Sequence, residues 1–303
     1  MKLPRPRARF PLGKPSWPGG VPRPPVEKRT GVNAETAWAR RYPVRLARAV
    51  VLDGVTRPLI HAVAAPHVDG MDRIETLPAP AIFAANHSSH VDTPLVLTSL
   101  PERFRHRTAV AAAADHFFDK RWKGHVWAFA INAIPLERNR VSPQSTKLAV
   151  SLVEEGWSLI IFPEGGRSPD GWGQSHRAGA AYLALRTRTP VVPVHLHGTR
   201  RILKKGAKGP RPSTTEVTFG PPLWAEEGES AHDLAARIEQ AIAVLADERA
   251  AGLWASRRRA ADGATPALTG PTATGWRRTW ALDENRRRTA TTRPWPEGSR
   301  TGT

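Results

Sequence analysis

The chain of 303 residues contains no cysteine. This absence excludes disulfide bridges, a thiolate nucleophile and any cysteine-ligated metal. The chain also lacks any stretch near the ~18 consecutive apolar residues of a membrane-spanning helix. The N-terminus is basic and interrupted by prolines, without the apolar core of a secretory signal. We therefore expect a cytoplasmic protein without a transmembrane helix.

Acidic residues are few: 27 Asp and Glu stand against 45 Lys and Arg, which gives a net charge of +18. The excess lies largely at the two ends, where residues 1–30 carry eight Lys or Arg and residues 254–303 carry ten Arg. Both ends lack a periodic apolar pattern, which is typical of disordered, solvated segments. The sequence predicts four segments: a basic Pro-rich tail at 1–34, an amphipathic segment at 35–69, a folded domain at 70–250 and a basic disordered tail at 251–303.

A basic chain favours anionic partners, namely nucleic acid, an anionic membrane surface or phosphorylated substrates. The eleven tryptophans are able to stack on bases. No recognised nucleic-acid-binding motif accompanies them, so this class is the weakest of the three.

The segment 35–65 has apolar residues at helical spacing, with arginines between them. The apolar positions are Leu46, Val50, Val51, Val55, Leu59 and Ile60, and the basic ones are Arg40, Arg41, Arg45 and Arg48. This spacing predicts an amphipathic helix, kinked or ended by Pro58. Two interpretations stay open: the helix lies in a lipid interface, or it docks on the core with its arginines in water.

After this segment, short apolar runs alternate with helical patterns. Strands are predicted at Ala79–Ala85, Thr108–Ala114, Ala130–Leu136, Ser158–Phe162, Val191–His197 and Glu216–Gly220. Helices are predicted at Thr93–Leu100, His116–Trp127, Pro143–Glu155, Gln174–Arg188 and Ala231–Arg249. The strands are mostly apolar rather than alternating, which favours burial on both faces. We therefore predict a single α/β domain whose mixed or mostly parallel sheet is flanked by helices.

His87 directly follows a predicted buried strand, and Asp92 lies five residues later. A neutral imidazole accepts a hydroxyl proton near pH 7, and a carboxylate on its other nitrogen fixes the tautomer. The pair is a candidate catalytic base. Alternatively His87 is a turn residue and Asp92 only caps a helix.

Two further interpretations use the same segment. His87, His90 and Asp92 are three potential metal ligands, although no fourth ligand is evident. Ser88 and Ser89 are potential nucleophiles, but neither lies in a G-x-S-x-G turn. Neither interpretation is favoured.

Glu164, Gly165, Gly166 and Arg167 follow a second apolar run. Glycines let backbone N–H groups approach an anion, and an arginine forks onto phosphate oxygens. This segment is a candidate phosphate site. The alternative is a tight turn in which Arg167 pairs with Glu164.

Together these segments resemble the first and third motifs, N-H-x-x-x-x-D and F-P-E-G-x-R-S, of the glycerolipid acyltransferase family. The positions present are Asn86, His87, Asp92, Phe162, Pro163, Glu164, Gly165, Arg167 and Ser168. Residues 134–138, ending in Arg138, resemble the second motif with its usual aromatic–acid pairing altered. Residues 191–194, with Pro193, resemble the fourth. The resemblance covers roughly residues 68–225.

The resemblance implies an acyltransferase of the 1-acylglycerol-3-phosphate type, which makes phosphatidic acid in phospholipid biosynthesis. His87, oriented by Asp92, would deprotonate the hydroxyl of lysophosphatidic acid, which attacks the thioester of acyl-CoA or acyl carrier protein without an acyl-enzyme. Glu164, Gly165 and Arg167, with Arg138, would hold the acceptor's phosphate. No cofactor or metal is implied. Alternative acceptors are glycerol-3-phosphate, another lysophospholipid or a glycolipid precursor.

Many family members carry a membrane-embedded N-terminal segment, whereas this chain has the basic amphipathic stretch. We therefore expect peripheral binding to the inner face of the cell membrane, where each Lys or Arg contributes about 1 kcal/mol. A further basic cluster comprises Arg200, Arg201, Lys204, Lys205 and Lys208. It is either a site for phosphates of coenzyme A or lipid headgroups, or a solvated loop.

Overall fold

Seven strands form one sheet in the computed structural model, which describes residues 34–137, 143–168, 170–203 and 209–270. The strands are β1 Pro66–Asp69, β2 Ile82–Ala85, β3 Thr108–Ala113, β4 Ala133–Leu136, β5 Ser158–Ile161, β6 Val191–His197 and β7 Thr215–Phe219. Their order is β1-β7-β6-β2-β5-β3-β4, and every pair is parallel except β6 with β7. The predicted α/β fold with a mostly parallel sheet is confirmed.

Helices cover both faces of this sheet. They are α1 Tyr42–Val51, α2 Arg57–Ala64, α3 Asp72–Glu75, α4 Asp92–Ser99, α5 Glu102–Arg105, α6 Ala114–Phe117, α7 Arg121–Ile131, α8 Pro143–Glu154, α9 Gly179–Thr187, α10 Thr199–Ile202, α11 Ala231–Ala251 and α12 Leu253–Ala261. A short 3-10 turn, Ala37–Arg40, precedes α1, and a π-helical turn, Leu52–Thr56, joins α1 to α2.

The apolar strands are explained by burial on both faces. Along β2, Phe83 and Ala85 belong to the core under α2 and α4, whereas Ile82 and Ala84 belong to the core under α8, α9 and α11. Successive strand residues point to opposite faces. Since both faces are covered, β2 has no polar position, and its four residues are fully buried.

The N-terminal helices dock on the folded domain, which is one of the two interpretations that the sequence left open. Leu52 of the π-helical turn and Ile60 of α2 are buried in the core, so this segment packs against the folded domain. Arg48 is also buried and donates to the carbonyl oxygen of Ala39 at 2.8 Å, which corrects its expected exposure. Four apolar side chains on the opposite side are more than half exposed: Leu46, Val50, Val55 and Leu59. Among the described residues, no helix has the length and apolar character needed to cross a membrane.

Several predicted boundaries are wrong. The edge strand β1 was not predicted, because it has only four residues and alternates between half-buried and exposed. The helix predicted at Gln174–Arg188 begins only at Gly179. The backbone N–H groups of Gln174 and Arg177 are used instead in contacts with the turn after β5. The helix predicted at His116–Trp127 is divided into α6 and α7.

Helix α12 lies inside the segment 251–303 for which a disordered tail was predicted. It packs against α11, and Arg259 donates two hydrogen bonds to the buried Asp247, at 2.6 and 2.8 Å. Ser256 is fully buried. The sequence prediction is wrong here because it treated every arginine as solvated, whereas one of them pairs within the fold. Residues 1–33 and 271–303 lie outside the described residues.

Candidate active site

The site forms where two neighbouring parallel strands end. Since β2 and β5 pair in parallel, their carboxyl ends lie at the same edge of the sheet. His87 follows β2 by two residues, and Phe162 follows β5 directly. Two contacts join these turns: the N–H of Ser168 donates to the carbonyl oxygen of His87 at 2.8 Å, and the His87 ring stacks on Phe162 with centroids 4.2 Å apart. The fold thereby brings the two predicted motifs together.

His87 and Asp92 form a hydrogen-bonded pair, with Nδ1 and Oδ2 separated by 2.8 Å. The same Oδ2 accepts the backbone N–H groups of Ser88 at 2.6 Å and Ser89 at 2.7 Å. An ionised carboxylate only accepts, so Nδ1 carries a proton and Nε2 of the neutral ring keeps its lone pair. Asp92 is the first residue of α4 and is fully buried. The arrangement can accept a proton at Nε2 and stabilise the resulting imidazolium.

The structure bears on two alternative interpretations of this segment, the Ser89 nucleophile and the metal site. Ser89 is fully buried, and its hydroxyl donates to the carbonyl oxygen of Leu203 and accepts from the N–H of Val91. It is therefore inaccessible as a nucleophile. Within the part of the chain that the structure describes, no three His, Asp or Glu side chains are placed to hold a metal ion.

Glu164 holds the backbone of the site together. Its Oε1 accepts the N–H of His87 at 2.8 Å, and its Oε2 accepts the N–H of Gln174 at 3.0 Å. The residue is only 3% exposed. Burial raises the pKa of Glu164 to about 7, although the two N–H donors oppose the rise. Both carboxylate oxygens of Glu164 are therefore bonded to the backbone of the site, at His87 and Gln174, and its role in substrate binding stays a prediction.

Gly165 allows an arginine to cross the turn. Its φ of +71° is one that glycine adopts without strain. A Cβ at this position would lie 2.8 Å from Nε of Arg177, so the arginine side chain passes directly over the glycine. The backbone N–H of Arg177 donates to the carbonyl oxygen of Pro163 at 2.9 Å. Arg167 and Arg177 therefore belong to the same turn region, next to His87.

The remaining motif residues have structural roles. The side-chain amide of Asn86 both donates to and accepts from the backbone of Leu196, at 3.0 and 2.7 Å, which continues the pairing of β2 with β6. Ser168 accepts the N–H of Gly171 at 2.7 Å. In β6, Pro193 uses its carbonyl oxygen to accept from the N–H of Gly220 at 2.8 Å. Pro163, which is buried, provides the carbonyl that binds Arg177.

The structure describes two residues of the predicted basic cluster, Arg200 and Arg201. Arg200 donates to the carbonyl oxygen of Ser168 at 3.3 Å, so it supports the turn after β5. Arg201 donates to the carbonyl oxygen of Thr214. Four predicted basic residues lie outside the described residues: Arg138, Lys204, Lys205 and Lys208.

A cavity of about 1220 Å³ opens at this pair of turns. His87, Arg167 and Arg177 line one part of it. Apolar residues from β3, β4, β5, α7 and α9 also line it, among them Ala111, Ile131, Leu136, Ile161 and Leu183, together with polar residues such as Asp115 and Glu137. Cavities for small ligands usually measure roughly 300–1,000 Å³. This one is larger, and both polar and apolar side chains line it.

Sequence reasoning missed two residues of the site, Gln174 and Arg177. Both lie in a segment whose composition predicted a helix, and neither belongs to a motif recognised in the sequence. Their positions depend on the turn 170–178 folding back onto Glu164 and Pro163. The one available signal was the proximity of Arg177, ten residues after Arg167, to the predicted phosphate turn.

Comparisons with known proteins find matches to the same region of the chain. Residues 66–197 match the model of the family described as Acyltransferase. The chain is 30% identical over 148 residues to the chloroplastic 1-acyl-sn-glycerol-3-phosphate acyltransferase of Arabidopsis thaliana, covering 47% of this chain and 39% of that protein. It is 30% identical over 138 residues to the 1-acyl-sn-glycerol-3-phosphate acyltransferase of Bacillus subtilis, covering 44% and 65%.

A solved structure shares the fold. The crystal structure of the 1-acyl-sn-glycerophosphate acyltransferase of Thermotoga maritima matches with a TM-score of 0.55 and 23% identity, covering 71% of this chain and 86% of that one. The sequence matches described above span less than two thirds of each relative's length. The chain therefore carries a domain of the Acyltransferase family over residues 66–197.

Proposed function

We propose that this protein transfers a fatty acyl group from a thioester donor, acyl-CoA or acyl carrier protein, to the free hydroxyl of 1-acylglycerol-3-phosphate. The product would be phosphatidic acid. The observation that carries this proposal is the hydrogen-bonded His87–Asp92 pair, whose histidine lines a large, partly apolar cavity together with Arg167 and Arg177. The curated relatives, which are named for this activity, support the same substrate.

In the proposed reaction, Nε2 of His87 accepts the hydroxyl proton as the oxygen attacks the thioester carbon. A C–O bond forms, the C–S bond breaks, and the imidazolium returns its proton to the departing thiolate. Asp92 stabilises the imidazolium while it exists. The thioester is attacked directly, so the reaction needs no protein nucleophile, which agrees with the burial of Ser89.

Arg167 and Arg177 would bind the acceptor's phosphate. Both line the cavity next to His87, and a guanidinium forms forked hydrogen bonds with phosphate oxygens. Binding the phosphate would place the hydroxyl beside Nε2 and so convert a two-molecule encounter into a positioned one. The apolar side chains that line the cavity would contact the acyl chain.

The test is release of thiol from oleoyl-CoA, or from oleoyl acyl carrier protein, with three acceptors supplied in turn. The acceptors are 1-oleoylglycerol-3-phosphate, glycerol-3-phosphate and 1-oleoylglycerophosphocholine, and the products are identified by mass. We expect the highest kcat/KM with the first. A higher value with either of the others would assign a different acceptor, and no acceptor-dependent release with either donor would reject acyl transfer.

The proposal includes binding at an anionic membrane surface. Next to the exposed apolar side chains of α1 and α2 lies α7, which contacts α1 and has two further exposed apolar side chains, Trp122 at 63% and Val126 at 51%. Thr56, in the turn between α1 and α2, lines the cavity. A lipid acceptor could therefore enter the cavity directly from a membrane that covers this face.

Flotation with vesicles of phosphatidylcholine and phosphatidylglycerol tests this surface. Leu59→Glu places a charge on the exposed face and should abolish flotation. The matched control is Leu253→Glu, because Leu253 is similarly exposed but lies on α12, which packs on α11. Equal flotation of the two variants would contradict the proposed orientation.

A further inference from the structure

The segment that follows α12 folds back onto the active site. The backbone N–H of Gly173 donates to the carbonyl oxygen of Leu268 at 2.9 Å. The side chain of Leu268 packs against the apolar core under α8, α9 and α11. Residues 264–270, here named the strap, thus cross the turn 170–178, here named the rim loop. The strap lies outside residues 66–197, the part of the chain that matches the family.

A close contact fixes the end of the strap against the rim loop. Gly270 has a φ of +74°, and a Cβ placed on it would lie 2.5 Å from Cδ2 of Trp172. The indole therefore packs directly against the backbone of Gly270, at a distance that any side chain there would prevent. Gly173 is also close to the strap: a Cβ placed on Gly173 would lie 3.2 Å from Cβ of Leu268.

The strap is anchored at its other end. Arg259 of α12 forms two hydrogen bonds with Asp247 of α11, and the carbonyl oxygen of Arg259 accepts the N–H of Ala264 at 2.7 Å. The strap is therefore attached to a helix of 21 residues that packs on β6 and α9. It has a fixed starting point from which to hold the rim loop.

The rim loop in turn holds the catalytic groups. The N–H of Gln174, adjacent to Gly173, donates to Glu164, which accepts from the N–H of His87 through its other oxygen. Arg177, at the far end of the rim loop, is hydrogen-bonded to Pro163 and crosses over Gly165. Because of these hydrogen bonds, a displacement of Trp172 and Gly173 should also displace Arg177 and the backbone of His87.

We propose that the strap positions the rim loop for acceptor binding, with Leu268, Gly270 and Trp172 as positioning residues that touch no substrate. This inference rests on the proposed function, since the acceptor is the phosphate that Arg177 would bind. The strap acts on the position of Arg177, and the proposed reaction assigns the thioester donor no group on the rim loop. Loosening the strap should therefore weaken binding of the acceptor and leave binding of the donor unchanged.

Two glycine substitutions in the full chain form a matched test. Gly270→Ala adds a Cβ that collides with Trp172, whereas Gly263→Ala adds one where no atom lies within 4 Å. Both glycines have positive φ, +74° and +64°, so both variants carry similar backbone strain. Only the first disturbs the strap. Trp172→Ala removes the same contact from the other side, without strain at Gly270.

We expect Gly270→Ala and Trp172→Ala to raise the KM for 1-oleoylglycerol-3-phosphate about tenfold over that of Gly263→Ala, with the KM for oleoyl-CoA within about twofold. Hydrogen exchange of the Gly173 amide should be faster in both variants, because its partner Leu268 is displaced. This measurement needs no activity. If the wild-type protein proves inactive, the proposed function fails while the exchange still tests the contact.

Acceptor KM values within about twofold of Gly263→Ala in both variants would overturn the proposal. An equal rise in the KM for both substrates would also overturn it, because a general loss of structure does not distinguish acceptor from donor. Melting temperatures of the three variants identify such a loss.

Discussion

Replacing Asp92 with asparagine removes a charge from the site and keeps an oxygen acceptor. Three donors converge on a single oxygen, Oδ2: the ring of His87 and the N–H groups of Ser88 and Ser89. The oxygen of an asparagine can occupy this position and accept all three bonds. Its amide nitrogen then lies where Oδ1 of Asp92 is buried without a partner among the described residues. We expect this unsatisfied donor to lower the free energy of unfolding by about 1–3 kcal/mol.

The loss in catalysis should exceed the loss in stability, because the imidazolium forms only during the reaction. Opposite charges about 4 Å apart, at an effective dielectric constant of about 20, attract each other by about 4 kcal/mol. The fully buried position of Asp92 justifies using this value rather than that of water. Since about 1.4 kcal/mol corresponds to a tenfold change in rate, kcat should fall by about a thousandfold.

The assay is thiol release from oleoyl-CoA at saturating acceptor, alongside urea unfolding of the same preparations. Combining Asp92→Asn with His87→Ala should add little to the effect of His87→Ala alone, because the two residues act as one unit. A folded Asp92→Asn protein with kcat within about tenfold of wild type would refute the argument. It would show that the carboxylate does not stabilise charge on His87.

Three further predictions concern other buried parts of the structure. Burial raises the pKa of Glu164 to about 7, so the folded state binds more protons than the unfolded state, and stability should fall by up to about 3 kcal/mol as pH rises from about 4.5 to 7. Glu164→Gln should lack this component in urea titrations, and an unchanged pH profile would contradict the assignment. Burial lowers the pKa of His195 to about 3, so stability should fall by about 2 kcal/mol as pH drops from 6.5 to 5. His195→Gln should be less sensitive to acid over that interval, and equal sensitivity would be inconsistent with a buried neutral ring. Gly165→Ala should lose roughly 1–2 kcal/mol of stability through strain at positive φ and show a raised acceptor KM, since the methyl group displaces Arg177. Gly166→Ala, which has open space around its Cβ position, serves as its control for stability in thermal unfolding.

The core of the fold was predictable because strands buried on both faces are apolar at nearly every position, and such runs are visible in the sequence. The strand Val191–His197 was predicted at its observed bounds, and the other core strands ended within a few residues of theirs. The edge strand β1 was missed, since a short, half-exposed strand has no apolar run. Its pairing with β7 brings together residues about 150 positions apart, which no local pattern encodes.

The proximity of His87 and Asp92 was predictable for a different reason. The two residues are close in sequence: His87 lies two residues after β2, and Asp92 is the first residue of α4. The role of Glu164 was not predictable, because an acid beside two glycines and an arginine gives no indication of which way its carboxylate points. In the structure it points inward, to the backbone of His87.

The contacts of the rim loop could not be predicted from the sequence. Its backbone donors bind Glu164 and Pro163 instead of starting a helix, and its outer side is covered by Leu268, almost a hundred residues later. The composition around Gln174 resembles the helix that follows, so the helix was predicted to start five residues early. Tertiary hydrogen bonds decide this boundary, and they depend on the assembled sheet.

The central claim is that His87 is the general base of acyl transfer to a hydroxyl. The most direct test measures thiol release from oleoyl-CoA on addition of 1-oleoylglycerol-3-phosphate, with wild type, His87→Ala and His67→Ala. His67 pairs with Asp69 at 3.2 Å on the exposed edge strand, so its loss controls for removal of a histidine–aspartate pair. The chain has no cysteine, so a thiol reagent reports only the released coenzyme A. We expect release that depends on the acceptor, is retained in His67→Ala and falls by at least about a hundredfold in His87→Ala. Equal release from wild type and His87→Ala would contradict the account.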